Sequence, residues 1–251
     1  VPTLNRSVLR NEILLVLGVS LGADALHSLV DIINSLTAPV PLSQQTIQIN
    51  PSVTPDRPYL DLAYQLWKLI PLVLPALLAI HLLNRDNGRA YERLGLDTRQ
   101  PTVDIGTGAG LAAVVGIPGI GLYFLARHLG INANIAAATL ENVWWAVPVL
   151  VLLAAANGFL EEVVVVGYLV TRLRELGWST WQVVAASALL RGSYHLYQGF
   201  GGFVGNAIMG VVFALFFLRF KRVIPLVIAH TLLDVGAFVG YTLGKGHIPG
   251  L

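Results

Sequence analysis

Residues 143–170 read VWWAVPVLVLLAAANGFLEEVVVVGYLV, an apolar run interrupted by two adjacent carboxylates, Glu161 and Glu162. Its length suits a helix crossing the ~30 Å hydrocarbon core of a bilayer, which takes about 20 residues. No basic residue follows the two acids within one helical turn. An ionisable side chain inside a spanning helix costs at least ~2.5–3.5 kcal/mol, so the pair demands a function or a partner.

The rest of the chain has the same character. Of its 251 residues 55% are hydrophobic and only 12% are charged, about half the ~25% of a soluble domain. Mean hydropathy is +0.69. The expected fold class is an all-α, polytopic transmembrane helix bundle of about seven to eight spans, forming one membrane-embedded domain over 1–251. Seven candidate spans emerge at about 11–37, 59–84, 102–127, 143–170, 180–198, 202–219 and 223–244. All read as helices, because backbone groups in lipid must be satisfied within the segment. Segment 38–58, rich in Pro, Ser and Gln, reads as an ordered or mobile external loop.

There is no Cys, which excludes a disulfide framework, a thiolate metal site and a thiol nucleophile. The net charge of +2 is loop charge, so the bilayer and not a nucleic acid is the expected partner. The chain starts at Val1, which reads as a trimmed or renumbered N-terminus, and no segment looks like a signal peptide. With the N-terminus inside, eleven basic residues, among them Arg85, Arg93, Arg172, Arg174, Lys221 and Arg222, fall on the cytoplasmic side. Only Arg57, Arg127 and Lys245 fall outside, a bias that predicts a multi-pass protein of the cell membrane. Gly236, Gly240 and Gly244 form a small-residue stripe suited to helix packing. The glycine-rich GTGAGLAA at 106–113 lies in a span without strand–turn–helix context, so it is not a phosphate loop.

Ionisable residues inside the spans fall into two groups. Asp24, His27 and Asp31 share a face of the first span, and Lys68 lies on the second at a depth like that of Asp31. A charge pair joining the two helices is the simplest reading, and a polar substrate path is the other. The second group is Glu161, Glu162, Arg191, His195, His230 and Asp234, on three later spans. His230 and Asp234 share a face at i, i+4, as do Arg191 and His195. Glu161 and Glu162 are about 100° apart around a helix, so they are expected not to aim at one point. One should face the site while a structural partner holds the other. A carboxylate with a His could activate water, and a second His with Asp234 could stabilise an oxyanion. Two His and a carboxylate could also ligate zinc, although HExxH is absent. GxSG and GxGD, two other signatures for cutting peptides in a membrane, are absent as well.

These residues resemble the CPBP family, which comprises CAAX prenyl endopeptidases of the Rce type and bacteriocin-processing, Abi-like membrane proteins. Its pattern is EExxxR, then FxxxH, then Hxxx(N/D), on separate membrane helices. Here the matching pieces are EEVVVVGYL at 161–169, RGSYHLYQG at 191–199 and HTLLD at 230–234. The piece ERLGLDTRQP at 92–101 resembles the loop before the next span, so the family-like core is about 90–244. The resemblance implies an intramembrane endopeptidase acting on a membrane-associated peptide or protein. Its catalytic set would be Glu161, Glu162, His195, His230 and Asp234, with no metal and no cofactor. Glu161 and His195 would activate water, and His230 and Asp234 would form the oxyanion side.

Two departures stand out. Val166 replaces the Arg of the first motif, and Arg191 replaces the Phe of the second. The charge is therefore expected to have moved, with Arg191 pairing with Glu162 from the neighbouring helix. Depth raises a separate difficulty. At ~1.5 Å per residue Glu161 and His230 lie about 10–12 Å from the basic ends of their spans, and His195 about 22 Å. Either the fifth span starts later than 180, or the helix carrying Glu161 is longer and tilted. Two further readings stay open: a non-proteolytic scaffold or immunity protein that keeps the fold and binds a membrane-protein partner, and a small proton-relay transporter.

Overall fold

The structure, a computed structural model, describes residues 5–140 and 143–244. Five helices are long and apolar enough to cross a membrane, and a sixth span results if one bent helix pair counts as one. The protein is an all-α, multi-pass membrane protein. Lys245, used in the orientation argument, lies outside the described residues.

The bent pair is α1 (Arg6–Gly18) and α2 (Leu21–Thr37), which meet at 52° where a single span over 11–37 was expected. Ser20 leaves helical geometry and its hydroxyl donates to the Val16 carbonyl at 2.6 Å. Gly22 lets the elbow close, since a Cβ there would sit 2.7 Å from the Leu17 carbonyl oxygen. The loop that follows is ordered, one of the two states its composition left open. Its segment β1 (Thr46–Pro51) pairs in parallel with β2 (Asn134–Thr139), which lies beyond the third span.

Helices α3 (Pro58–Trp67) and α4 (Leu69–Asn87) form one span with a turn at Lys68. The expected Asp31–Lys68 pair does not form. Lys68 donates to Gln65 on its own helix at 2.8 Å, and Asp31 pairs with His27 at 3.0 Å. The reason is packing: α2 lies chiefly against a later helix, α9 (Thr180–Tyr194).

After the short α5 (Ala90–Leu94) comes α6 (Pro101–His128), much of it exposed, with Gly108 and Gly116 seating one side of it closely against Ile228 and Leu233 of the last helix. The next span is the opposite, buried over most of its length. It consists of α7 (Ala146–Glu161), a π-helical segment (Glu162–Tyr168) and α8 (Leu169–Glu175), and it is the central rod of the bundle. Its four consecutive valines, Val163 to Val166, are fully buried.

Helix α9 has fifteen residues, about 22 Å, and falls short of a full span by length. Its start is fixed by a capping box between Ser179 and Gln182, and it ends before His195 and not at 198. A 3₁₀ turn (Leu196–Gln198) and Gly199 then lead into α10 (Phe200–Phe220), and α11 (Ile224–Gly244) completes the bundle. Gly199 has φ +116°, and a Cβ would lie 2.6 Å from the Ile131 carbonyl oxygen. That close approach lets the 131–133 segment clamp the turn: Ala133 donates to the Gln198 carbonyl, and Phe200 donates to the Ile131 carbonyl, both at 2.9 Å.

Ion pairs hold the basic end. Arg222 pairs with Asp104 at 2.6 Å and Asp97 at 3.2 Å, while Val223 donates to the Leu94 carbonyl at 2.7 Å. Arg99 and then Arg222 hold the Asp97 carboxyl well below the usual carboxylate range. The buried Arg172 gathers Asp86 (2.6 Å), Glu175 (2.8 Å) and Glu12 (3.1 Å), tying the rod to α1 and α4.

Candidate active site

Glu161 is the last residue of α7 and Glu162 the first of the π-helical segment. A run of four β-branched valines is a poor helix former, because each loses χ1 freedom against the preceding turn. The wider π turn occupies that run, and such turns recur at functional sites. Arg191 and Tyr194 come from the last turn of α9, His195 from its C-cap, and His230 and Asp234 from α11.

Arg191 is fully buried and bridges both acids. Its Nη2 lies 2.7 Å from Glu162 Oε1 and its Nη1 3.3 Å from Glu161 Oε2. The expected pairing of Arg191 with Glu162 is therefore present. The expectation that the two acids would not share a target is corrected. A guanidinium has a forked set of donors, so it reaches two carboxylates that leave the helix about 100° apart. The Arg191 guanidinium also lies 5.5 Å from the Phe213 ring centroid.

His230 is 2% exposed and sits among the acids. Its Nδ1 is 2.6 Å from Glu162 Oε1. Arg191 Nη1, which only donates, also approaches Nδ1 at 3.4 Å, but the far shorter contact is to a carboxylate, which only accepts, and it assigns the proton to Nδ1. The other ring nitrogen, Nε2, faces Asp234 Oδ1 at 3.7 Å and Glu161 Oε2 at 3.9 Å. His195 stacks at a tilt on Tyr194, with ring centroids 4.8 Å apart, and lies within electrostatic reach of Glu161. Its Nδ1 is buried without a hydrogen-bond partner among the described residues.

For Glu161 the depth difficulty is met by the longer rod, one of the two alternatives anticipated, while His230 stays six residues from the start of α11. The helix carrying Glu161 continues to Glu175 and not 170, about 21 Å beyond Glu161. That matches the ~22 Å from Thr180 to His195 along α9.

Two polar residues at the site escaped the sequence reading. Tyr194 donates its hydroxyl to Glu161 Oε2 at 2.5 Å. Asn157 donates to Glu161 Oε1 at 3.1 Å and to Asp234 Oδ2 at 2.9 Å, linking α7 to α11. The signal was present for Asn157, an amide at i−4 from Glu161 in an otherwise apolar run. Of the first-span group, Asp24 lies within electrostatic reach of Glu161, while His27 and Asp31 form a separate exposed pair.

Ligand atoms of Glu161, Glu162 and His230 lie within 4.8 Å of one another, close enough to hold a metal ion. Arg191 argues against that use. Its guanidinium already supplies a cation to both carboxylates. A divalent ion at the centre of the three donors would meet that fixed charge and would have to displace Nη2 from Glu162. The residues present do not fit a metal in this arrangement.

Residues 143–236 match the Rce1-like family of type II CAAX prenyl endopeptidases. The resemblance read from the motifs is thus found, over a narrower stretch than 90–244. No curated protein and no solved structure matches the chain. The Rce1-like segment runs from the approach to α7 into α11 and contains Asn157, Glu161, Glu162, Arg191, Tyr194, His195, His230 and Asp234. The family is one of peptide hydrolases, and the matched stretch holds the cluster of Glu161, Glu162, Arg191 and His230.

Proposed function

We propose that the protein is an intramembrane endopeptidase in which Glu161 activates a water molecule to cut a peptide bond of a membrane-associated peptide or protein. One observation carries this reading. Three carboxylates, two histidines and an arginine from three helices meet in the interior of an apolar bundle, within the stretch that matches a prenyl endopeptidase family. Burying so many ionisable groups is costly, and packing alone does not call for them.

The proposed chemistry divides the groups. Water bound between Glu161 and His195 loses its proton to Glu161 as oxygen attacks the scissile carbonyl carbon. His230, its Nδ1 proton committed to Glu162, presents Nε2 to the developing oxyanion and donates a second proton in a hydrogen bond. The proton held by Glu161 then passes to the leaving amine as the C–N bond breaks. Glu162 and Arg191 position the His230 ring. Asp234, held by Asn157, acts through His230, because a carboxylate facing an oxyanion would repel it.

In the same reading the bent α1–α2 pair and α9 both lie in the bilayer, making seven membrane segments of one unit. The N-terminus is on the cytoplasmic side of the cell membrane. The substrate to try first is a farnesylated peptide ending in a CAAX sequence, the chemistry named by the matching family. The purified protein in nanodiscs should cleave such a fluorogenic peptide or, failing that, a precursor that accumulates in membranes of cells carrying Glu161→Gln. If neither the peptide nor any accumulating precursor is found, the peptidase reading falls.

A further inference from the structure

A cleft of about 590 Å³ opens at the basic end of the bundle, where α8, α5 and the turn after α10 meet. Three cations line it: Arg93, Arg174 and Lys221. Arg93 is paired with Glu175, which also binds Arg172 at 2.8 Å. Glu92, at the exposed rim, lies within electrostatic reach of Arg99 outside the cleft. Arg174 donates to the Trp178 carbonyl at 2.8 Å, and neither it nor Lys221 has a carboxylate within ion-pair distance among the described residues.

Lys221 is unusual in three respects. It has φ +55°, the only positive φ at a non-glycine among the described residues. Its ammonium lies 5.3 Å from the Phe217 ring centroid. Burial first, then Arg174 and Arg93, pull its pKa below the usual lysine range. A glycine or asparagine would take the left-handed conformation at a helix C-terminus with less strain. A strained, like-charged lysine at a cleft is the kind of outlier that points to a ligand.

The ligand's chemistry follows from the donors and their place. Arg and Lys together suit a phosphate oxyanion, the arginine through its planar fork and the lysine as a point charge. The cleft sits where the spans Ala146–Glu175 and Phe200–Phe220 end, the level of lipid headgroups. Basic pockets between membrane helices bind anionic headgroups in the same way. We propose that the Arg93–Arg174–Lys221 cleft is a phosphate-binding subsite, separate from the glutamate centre.

Native mass spectrometry of the full chain released from phosphatidylcholine nanodiscs doped with phosphatidylglycerol tests this. Wild type should retain phosphatidylglycerol in preference to phosphatidylcholine. Arg174→Gln/Lys221→Gln should retain about thirtyfold less, by the weight of two interfacial charges. Lys221→Asn guards against misfolding, because asparagine tolerates the left-handed backbone; it should melt no lower than wild type and still lose the lipid. Added inorganic phosphate separates the sources. Displacement of the lipid shows a site that accepts soluble phosphate, and retention shows one built for a lipid headgroup. The proposal is overturned if wild type shows no preference or if the double variant retains the lipid as wild type does. It is overturned equally if Arg219→Gln, at the same end but outside the cleft, sheds as much.

Discussion

The Nη2 atom of Arg191 lies 2.7 Å from Oε1 of Glu162, so a cation from α9 stands in for the one missing at Val166 on the rod. Both side chains are fully buried, and Arg191 also contacts Glu161 at 3.3 Å. Removing one member of a buried pair leaves the other as an uncompensated charge.

Arg191→Ala should therefore lower the stability of the purified protein by about 3–5 kcal/mol, measured by thermal or denaturant unfolding in detergent. Arg191→Lys keeps the charge but not the fork, so it should hold one carboxylate and not both. An unfolding curve for Arg191→Ala that overlays wild type would show the pair to be energetically idle.

Ser28, buried on α2, accepts a hydrogen bond from the Tyr197 backbone amide at 2.7 Å, two residues after His195. Ser28→Ala leaves that amide unsatisfied, which costs about 1–3 kcal/mol. Peptide turnover should fall about tenfold as the His195 turn loosens, since positions displaced by ~1 Å can lower rates steeply. Ser193→Ala, whose hydroxyl only donates to the Leu189 carbonyl on its own helix, should leave turnover unchanged.

Outside the bilayer, Asp97 receives hydrogen bonds from Arg99 and Arg222. Its folded-state pKa lies below the ~3.9 of an unfolded aspartate. Its contribution to stability is thus complete above that value and fades as pH falls through the folded pKa. Between about pH 5 and about pH 2 the melting temperature of wild type should drop more steeply than that of Asp97→Asn. Parallel pH profiles would remove Asp97 from the account.

Because Arg191 already serves both carboxylates, peptide cleavage should not depend on an added divalent ion. Prolonged dialysis against a strong chelator should leave turnover unchanged, checked by elemental analysis of the dialysed protein. Loss of activity on chelation, restored by zinc, would contradict the guanidinium-filled centre.

Much of this site was legible in the chain because ionisable residues in lipid are rare and expensive. That argument isolated Glu161, Glu162, Arg191, His195, His230 and Asp234 before any geometry was known. The transfer of the cation from Val166 to Arg191 was legible too, since Glu162 had no cation on its own helix. Spacing arguments failed where the helix changed type. In a π-helix the residue bonded back to Glu162 is the fifth on, Gly167, so i+4 reasoning from Glu162 to Val166 does not hold there. Asn157 and Tyr194 were hidden because neutral polar residues carry a weaker penalty in a span and draw less notice. The β1–β2 pairing was illegible because its strands are about 90 residues apart and neither is amphipathic enough to stand out. The 52° elbow of α1 and α2 depends on one serine and one close-packed glycine, below the resolution of a hydropathy pattern.

The most direct test compares Glu161→Gln with Glu162→Gln in one assay, reading cleavage of a farnesylated CAAX peptide in nanodiscs alongside thermal unfolding. Glu161→Gln keeps the shape and most hydrogen bonds of the side chain but cannot take a proton, so cleavage should fall by about 10²–10⁴ with little loss of stability. Glu162→Gln, which strips Arg191 of its 2.7 Å partner, should lower the unfolding temperature more than Glu161→Gln does. Wild-type cleavage by Glu161→Gln would contradict the account at its centre.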